Sequence, residues 1–564
     1  MDTPKVPPRA LQPTFVELYT PKLATVLGEG YGVRDFQADA VAGLTVAIVA
    51  LPLSMAIAIG SGVSPERGLY TAIVGGFLVS LLGGSRFQIG GPAAAFIVLV
   101  ASIVAQEGYD GLVLATVIGG ALMILTGLLR LGTFIKYIPY PVTVGFTAGI
   151  AVFIAISQLP DLLGLQPQQA DTFVQRLMAL RGAAIDTQTV GITVLSIAAI
   201  LAVIRWAPRL PAFLIAVACA AVAAALLQLD ITTIGSRFGA MPNGLPAPEL
   251  PAWSLEKLPA ALRNGAAIAL LGAIESLLSA VVADGMTGRR HRSNCELVGQ
   301  GVANIGSALF GGICVTGTIA RTATNIRSGA RGPVAGMLHS AFLLIFMLVA
   351  APLISYIPLA TLGAVLVIVA WNMTEKAEFW ALLRSSRGDA LVLLTTFALT
   401  IFVDLPTGIG VGVVLGAFLF LHRMAEVVEV EGLVADDRAD HDNGRGALPA
   451  QDRDVMVFRI SGAFFFGATA AVSTVLDRAG AKPKVFILDF RDVPLIDSTA
   501  GATLRGFVKR LARAGTKVYF AGTRHRVRET LIAAGLTPPL VTYKSDVQKA
   551  RAAAEQLAHA RGPD

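Results

Sequence analysis

The sequence predicts an α-helical polytopic membrane protein of fourteen transmembrane segments, followed by a small α/β domain at its C-terminal end. Three observations carry that expectation. Hydrophobic residues fill 54% of the 564 positions and charged residues only 15%, with a mean hydropathy of +0.67; a soluble globular chain is about a quarter charged. Apolar runs of near-spanning length recur from residue 38 to residue 424. Beyond His422 and Arg423 that pattern stops, and strand-length and helix-length segments alternate instead.

Residues 1–37 hold Pro7, Pro8, Pro13 and several charges, with no short apolar region followed by a small-residue cleavage site. They are expected to be a cytoplasmic N-terminal segment, with the first apolar run kept as an anchor. Crossing the hydrocarbon takes roughly 17–25 apolar residues. Such segments fall near 38–60, 67–83, 87–104, 112–130, 137–158, 188–205, 209–228, 262–284, 297–311, 313–329, 333–355, 357–372, 388–405 and 406–424. An even count puts both termini on one side. Loops on that side hold Arg86, Arg130, Lys136, Arg205, Arg209, Arg289, Arg290, Arg292, Arg327, Arg331, Lys376, Arg384 and Arg387. The opposite loops, around 159–187 and 229–261, mix acids with bases, so the basic side is expected to be cytoplasmic. The net charge of +7 follows from that bias and needs no nucleic acid partner.

The 58 glycines suit close helix packing in lipid. Gly408, Gly410, Gly412 and Gly416 mimic a dinucleotide fingerprint, but no strand or acidic partner accompanies them, so packing is the expected role. Cys219, Cys295 and Cys314 are too few and too scattered for a disulfide framework or a metal site and read as small packing residues. No cofactor or resident metal is expected, and no nucleophile–base pair suggests an enzyme.

The transport-length region is expected over 38–424, a linker over 425–453 containing Asp436, Asp437, Asp440 and Asp442, and the α/β domain with its tail over 454–564. Within the last, 455–460, 485–490 and 517–521 read as strands, and 470–478, 498–514 and 527–534 as helices.

Two short membrane segments carry the chemistry. The third opens with Phe87-Gln88-Ile89-Gly90-Gly91-Pro92-Ala93-Ala94-Ala95 and the tenth with Cys314-Val315-Thr316-Gly317-Thr318-Ile319-Ala320-Arg321. Small or helix-starting residues stand where a helix should already be under way, and Pro92 suits a first helical turn. Both read as half-helices beginning in mid-membrane. Such starts expose N–H groups and a positive dipole end, which attract anions, and two of them facing each other form a midplane site. Non-helical backbone at that depth is tolerated only inside a protein-lined cavity. The anion-contacting candidates are Ser54, Gly91, Pro92, Ala93, Ala94, Thr318, Ala320 and Arg321.

Three ionisable residues lie within apolar segments, and such residues are functional by default. Arg321, in the first turn of the tenth segment, can pair with an anion; the alternative is a structural ion pair with Glu275. Glu275 and Ser279 are candidates for a coupling proton or sodium, because a carboxylate in apolar surroundings can carry a proton. Asp284 reads as a helix-end charge beside a basic loop.

At these residues the chain resembles the SulP/SLC26 anion transporter family. The resemblance rests on 47–56, Gly68-Leu69-Tyr70, 90–94 and Glu296-Leu297-Val298-Gly299-Gln300-Gly301-Val302-Ala303-Asn304. On 57–63, 84–87 and 370–373 it looks closest to a bacterial dicarboxylate transporter. The resemblance implies two inverted seven-segment repeats, core and gate subdomains, an elevator-like movement and a homodimer in a bacterial inner membrane. It places Glu275 at an acidic position linked to cation or proton coupling, and Arg321 where several members have a basic residue at the anion site. The bicarbonate branch instead carries an aspartate in the eighth segment and lacks this arginine. The tail looks like a STAS domain, a cytoplasmic regulatory module able to meet a protein partner. Its Asp497-Ser498 matches the loop that bears a phosphorylated serine in anti-sigma antagonists. Ser498 is thus a regulatory candidate, and it equally suits a helix N-cap.

The leading expectation is proton- or sodium-coupled uptake of C4-dicarboxylates such as succinate or fumarate. A sulfate or bicarbonate transporter or exchanger comes second. A nucleobase permease has little use for Arg321, and an anion channel would not accumulate its substrate.

Overall fold

The computed structural model describes residues 14–165, 185–208, 210–251, 256–432, 455–469 and 483–560. It divides into two compact units, Met1–Val413 and Val414–Asp564. The helix expected over 470–478, most of the expected linker, residues 1–13 and Arg209 lie outside the described residues.

Every predicted membrane segment contains a helix. In the first half these are α1 (Val33–Gly60), α2 (Pro65–Tyr70) continued through a π-helical turn into α3 (Gly76–Leu82), α4 (Ile97–Leu128), α5 (Tyr140–Ser157), α6 (Thr187–Trp206) and α7 (Ala212–Leu226). The second half holds α8 (Leu258–Thr287), α9 (Ser293–Leu309), α10 (Ile319–Arg327), α11 (Val334–Ile354), α12 (Leu359–Met373), α13 (Arg387–Phe402) and α14 (Leu405–Glu426). Among the described residues eight helices are long and apolar enough to cross a membrane. The helix α4 contains two of the predicted segments. Gly108 breaks it with φ 72° and ψ −178°, a conformation that glycine adopts without strain. What precedes Gly108 is therefore a half-length helix.

The packing repeats when each segment is exchanged for the one seven places along. The first segment packs on the eleventh (α1 on α11) and the eighth on the fourth (α8 on α4). The fourth packs on the ninth (α4 on α9) and the eleventh on the second (α11 on α3). The fifth packs on the thirteenth (α5 on α13) and the twelfth on the sixth (α12 on α6). With the ninth segment also on the second and the twelfth also on the fifth, segments 1, 2, 4, 8, 9 and 11 form one packed set and 5, 6, 12 and 13 another, the first segment touching the seventh and twelfth as well. Of the glycines near the end of this unit, Gly408 and Gly412 press on Thr396 and Thr400, whereas Gly410 faces open space. Cys295 and Cys314 are buried as expected of packing residues; Cys219 is exposed.

The second unit is built on a five-stranded sheet in the order β3 (Glu429–Gly432), β4 (Val455–Ser461), β5 (Val485–Asp489), β6 (Lys517–Ala521) and β7 (Thr542–Lys544). The β3 edge is antiparallel to β4, and the remaining pairs are parallel. One face, including Phe486, Leu488 and Phe520, is buried with Leu504 and Phe507 of α15 (Ser498–Arg513) and Val527 and Leu531 of α16 (His525–Ala533). The other face, through Val457, Val485, Ile487 and Tyr519, packs on Ala550 and Ala554 of α17 (Val547–Ala560). Covering both faces explains why β5 is buried at all five positions. Three elements depart from the sequence reading. The β3 strand falls inside the stretch expected to be linker, and β7 and α17 lie where no element was expected.

Candidate functional site

The two predicted half-helix starts meet. Gly90–Gly91 (β1) and Thr316–Gly317 (β2) pair as antiparallel strands, with Gly90 opposite Gly317 and Gly91 opposite Thr316. Backbone groups that a spanning helix would satisfy internally are satisfied here across the two halves of the chain, as an apolar solvent requires. Glycine at two of these positions leaves the room that neighbouring side chains fill. A Cβ on Gly317 would lie 1.4 Å from Gln88 Nε2, and one on Gly91 would lie 2.1 Å from Arg321 Nη1.

After β1 the chain passes through Pro92 and extended Ala93 into a helical turn, Ala94–Phe96, and on to α4. After β2, extended Thr318 opens α10 without a side-chain cap. Its N–H and its hydroxyl both donate to the Ile89 carbonyl, at 2.9 and 3.2 Å. The N–H groups of Ala94, Ala95, Ile319 and Ala320 have no acceptor among the described residues. Gly91, Pro92, Ala93 and Ala94 are buried, whereas Ile319 and Ala320 are exposed and form the open edge of the crossing.

Arg321 is 2% exposed at the third position of α10. Its Nη2 donates to Ser54 Oγ at 3.1 Å and to the Pro92 carbonyl at 3.4 Å, tying the first, third and tenth segments together. Its Nε and Nη1 have no hydrogen-bond partner. The alternative ion pair with Glu275 does not form. Glu275 is buried on α8, and its carboxylate has no hydrogen bond or ion pair among the described residues. Ser279 does not join it: the Ser279 hydroxyl donates to Thr322 Oγ1 at 3.3 Å. Asp284 stands near the end of α8 as expected, 2.7 Å from His291 Nδ1.

Several residues that hold the crossing were not singled out in the sequence. Gln88 Nε2 donates to the Ser276 carbonyl and hydroxyl, at 3.2 and 3.0 Å. Thr322 Oγ1 donates in none of these contacts but accepts from Ile89 N–H at 3.1 Å. Asn304 faces the Val315 peptide as another strand would: its Nδ2 donates to the carbonyl at 2.8 Å and its Oδ1 accepts from the N–H at 3.0 Å. All are uncharged polar residues inside apolar runs, and that is the signal that would have found them.

In the second unit, Ser498 is exposed at the first position of α15, and the N-cap is Asp497 instead. Asp497 Oδ1 accepts from Ala500 N–H at 2.8 Å and Oδ2 from Phe466 N–H at 3.0 Å. The capping role considered for Ser498 is thereby corrected.

Residues 36–396 match the sulfate permease family and residues 448–550 match the STAS domain. The chain belongs to the sulfate permease family, SulP/SLC26. As such it is a multi-pass anion transporter rather than an enzyme, and its C-terminal domain is a STAS domain. Within this family it is 39% identical over 518 residues to the putative sulfate transporter YvdB of Bacillus subtilis, covering 90% of this chain and 95% of that one. It is 31% identical over 521 residues to the bicarbonate transporter BicA of Synechocystis, covering 88% and 90%. Among solved structures, the overall structure of SLC26A9 matches with a TM-score of 0.85 at 17% identity, over 95% of this chain and 93% of that one. That likeness is one of fold. The transmembrane domain of a cyanobacterial BicA matches with a TM-score of 0.61 at 29% identity, over 69% and 98%.

Proposed function

We propose that this sulfate permease family member is a secondary active carrier that holds one small oxyanion between the starts of α4 and α10. The observation that supports it is the buried Arg321 guanidinium, with Nε and Nη1 unpartnered beside the free N–H groups of Ala94, Ala95, Ile319 and Ala320. Buried donors left unmade are costly, and charge-assisted bonds to an oxyanion are the strong way to make them. Ser54, Gly91, Pro92, Ala93 and Thr318 frame the same space, and Ala320 borders its open edge. Glu275, buried without a partner, is assigned to the coupling proton or sodium, with Ser279 one turn further along α8.

The names of the relatives favour an inorganic oxyanion of the sulfate or bicarbonate type over a C4-dicarboxylate such as succinate, which rests on the short stretches 57–63, 84–87 and 370–373. We also assign the carrier to a bacterial inner membrane as a homodimer, with cytoplasmic termini and STAS domain, and give it an elevator-type cycle.

The test is uptake of radiolabelled sulfate, bicarbonate and succinate into proteoliposomes under separate proton and sodium gradients. Accumulation driven by one gradient is expected. Arg321→Ala should reduce it by about thirtyfold or more, the usual scale for truncating a buried charged partner. Glu275→Gln should abolish accumulation. Coupled uptake retained in both folded variants would overturn the assignment.

A further inference from the structure

One ionisable group beside the crossing has no task in the scheme above. His339 lies on α11 with no exposed surface, and neither ring nitrogen has a hydrogen-bond partner. The turn of α11 that carries it packs against β1. A Cβ on Gly336 would lie 3.2 Å from Ile89 Cδ1, and one on Gly76 would lie 2.8 Å from the Gly90 carbonyl and 3.0 Å from Ser340 Oγ. From the other side α1 closes in, with a Cβ on Gly43 falling 3.0 Å from the His339 backbone nitrogen. Ala72 connects this turn to Arg321: its carbonyl accepts from the hydroxyl of Ser340, the residue after His339, at 3.1 Å, and a Cβ on Gly91 would meet both the Ala72 side chain, at 3.8 Å, and Arg321 Nη1.

An imidazole in this position forfeits both of its hydrogen bonds, and a leucine would fill the space without that cost. An intramembrane histidine next to a binding cation has a different use. We propose that His339 is a proton-binding site linked to the bound anion through Arg321.

The proposal rests on the anion site assigned above. A protonated imidazole and a guanidinium separated by only a few side chains in a low-dielectric interior repel each other. An anion on Arg321 Nε and Nη1 cancels that repulsion, so the imidazole takes up a proton from water as the anion binds. No covalent bond other than N–H is made. The load gains one positive charge, so a monovalent anion is carried neutral and a divalent one with a single net charge. Linkage is reciprocal, so the proton tightens anion binding by the same factor.

Other charges on the elements packed against α11 are committed elsewhere. Asp39 on α1 accepts from Tyr31 hydroxyl at 2.7 Å and from the N–H groups of Arg331 and Gly332. Asp35 accepts from Gly32 N–H, and Arg34 stands exposed at the start of the same helix. On α2, Glu66 bonds to Ser64, and Arg67 lies over the Tyr109 ring and donates to the Gly311 carbonyl; the Tyr70 ring is buried. The π-helical turn and α3 carry no ionisable side chain. Glu275 lies on α8, and among the described residues no hydrogen bond or ion pair joins it to Arg321 or His339.

The experiment is calorimetric binding of sulfate and of nitrate, neither of which titrates near neutrality, to the full-length protein in detergent between pH 5.5 and 7.5. Wild-type affinity should tighten about tenfold on acidification, within the usual range of coupling. Titration in buffers of different ionisation enthalpy should show protons taken up with the anion; none taken up overturns the proposal without any variant. His339→Gln, with His339→Asn as a second replacement should the first misfold, should flatten the pH dependence. A slope retained in both also overturns it. A slope lost in Glu275→Gln instead assigns the proton to Glu275 and leaves the proposed function standing. Saturable binding absent from the wild type, or identical in Arg321→Ala, overturns the anion site itself.

Discussion

Gln88 occupies the space in which Gly317 would carry a side chain, and the two residues therefore specify each other. A methyl group 1.4 Å from Nε2 would expel the amide from Ser276, where it makes two hydrogen bonds. Gly317→Ala is expected to destabilise the protein by about 1–3 kcal/mol, the cost of orphaning a buried polar group. Adding Gln88→Ala to it should restore part of that loss, because the clash disappears with the amide. Thermal unfolding of the two single variants and the double variant in detergent measures the coupling. Strictly additive losses would mean that the two side chains do not compete for one space.

Among the elements, the half-helices were legible in the sequence and their pairing was not. Gly90-Gly91-Pro92 and Thr316-Gly317-Thr318 interrupt apolar runs, and interruption leaves a compositional mark. The ladder between β1 and β2 is made of backbone groups, which carry no side-chain signature, so nothing in the sequence links Gly91 to Thr316. Ionisable residues such as Arg321 and Glu275 stood out against their apolar surroundings; Gln88, Asn304 and Thr322 did not, although they hold the crossing together. The β3 strand was hidden for a further reason: four residues beginning Glu429-Val430-Glu431 are too few and too acidic to show alternation. At the start of α15, Asp497 and Ser498 both had the chemistry of a cap, and only the position of the Ala500 N–H decides between them. Asp497→Ala should cost about 1 kcal/mol. Hydrogen exchange on the full-length chain should then be about fivefold faster over the first turn of α15. Unchanged exchange there would show that the cap contributes nothing.

For the whole membrane unit, the two packed sets of segments meet at an apolar contact between α5 and α8. Ile138, Val142, Thr143 and Phe146 face Ile274 of α8 and Ile409 of α14 around one small pocket. Among the described residues no hydrogen bond joins these six across the contact, and a contact of that kind can slide, as shear movements between packed helices require. If transport moves one set past the other, fixing the contact must stop it. In a chain whose three cysteines are replaced by alanine, Val142→Cys with Ile274→Cys should lose uptake when bridged by a short cleavable thiol reagent and regain it on cleavage. Uptake that survives complete bridging would show that the sets travel together.

The ladder between β1 and β2 also sets a timetable for making the protein. Gly91 leaves the ribosome 316 − 91 = 225 residues ahead of Thr316, the residue it pairs with. At about 5–20 residues per second that is a delay of roughly 10–50 s. Throughout it the peptide groups of Gly90 and Gly91 have no partner strand, and lipid cannot stand in for one. The first half of the chain therefore has to be sheltered during synthesis, by the insertion machinery or by its own helices, until the second half arrives to complete it.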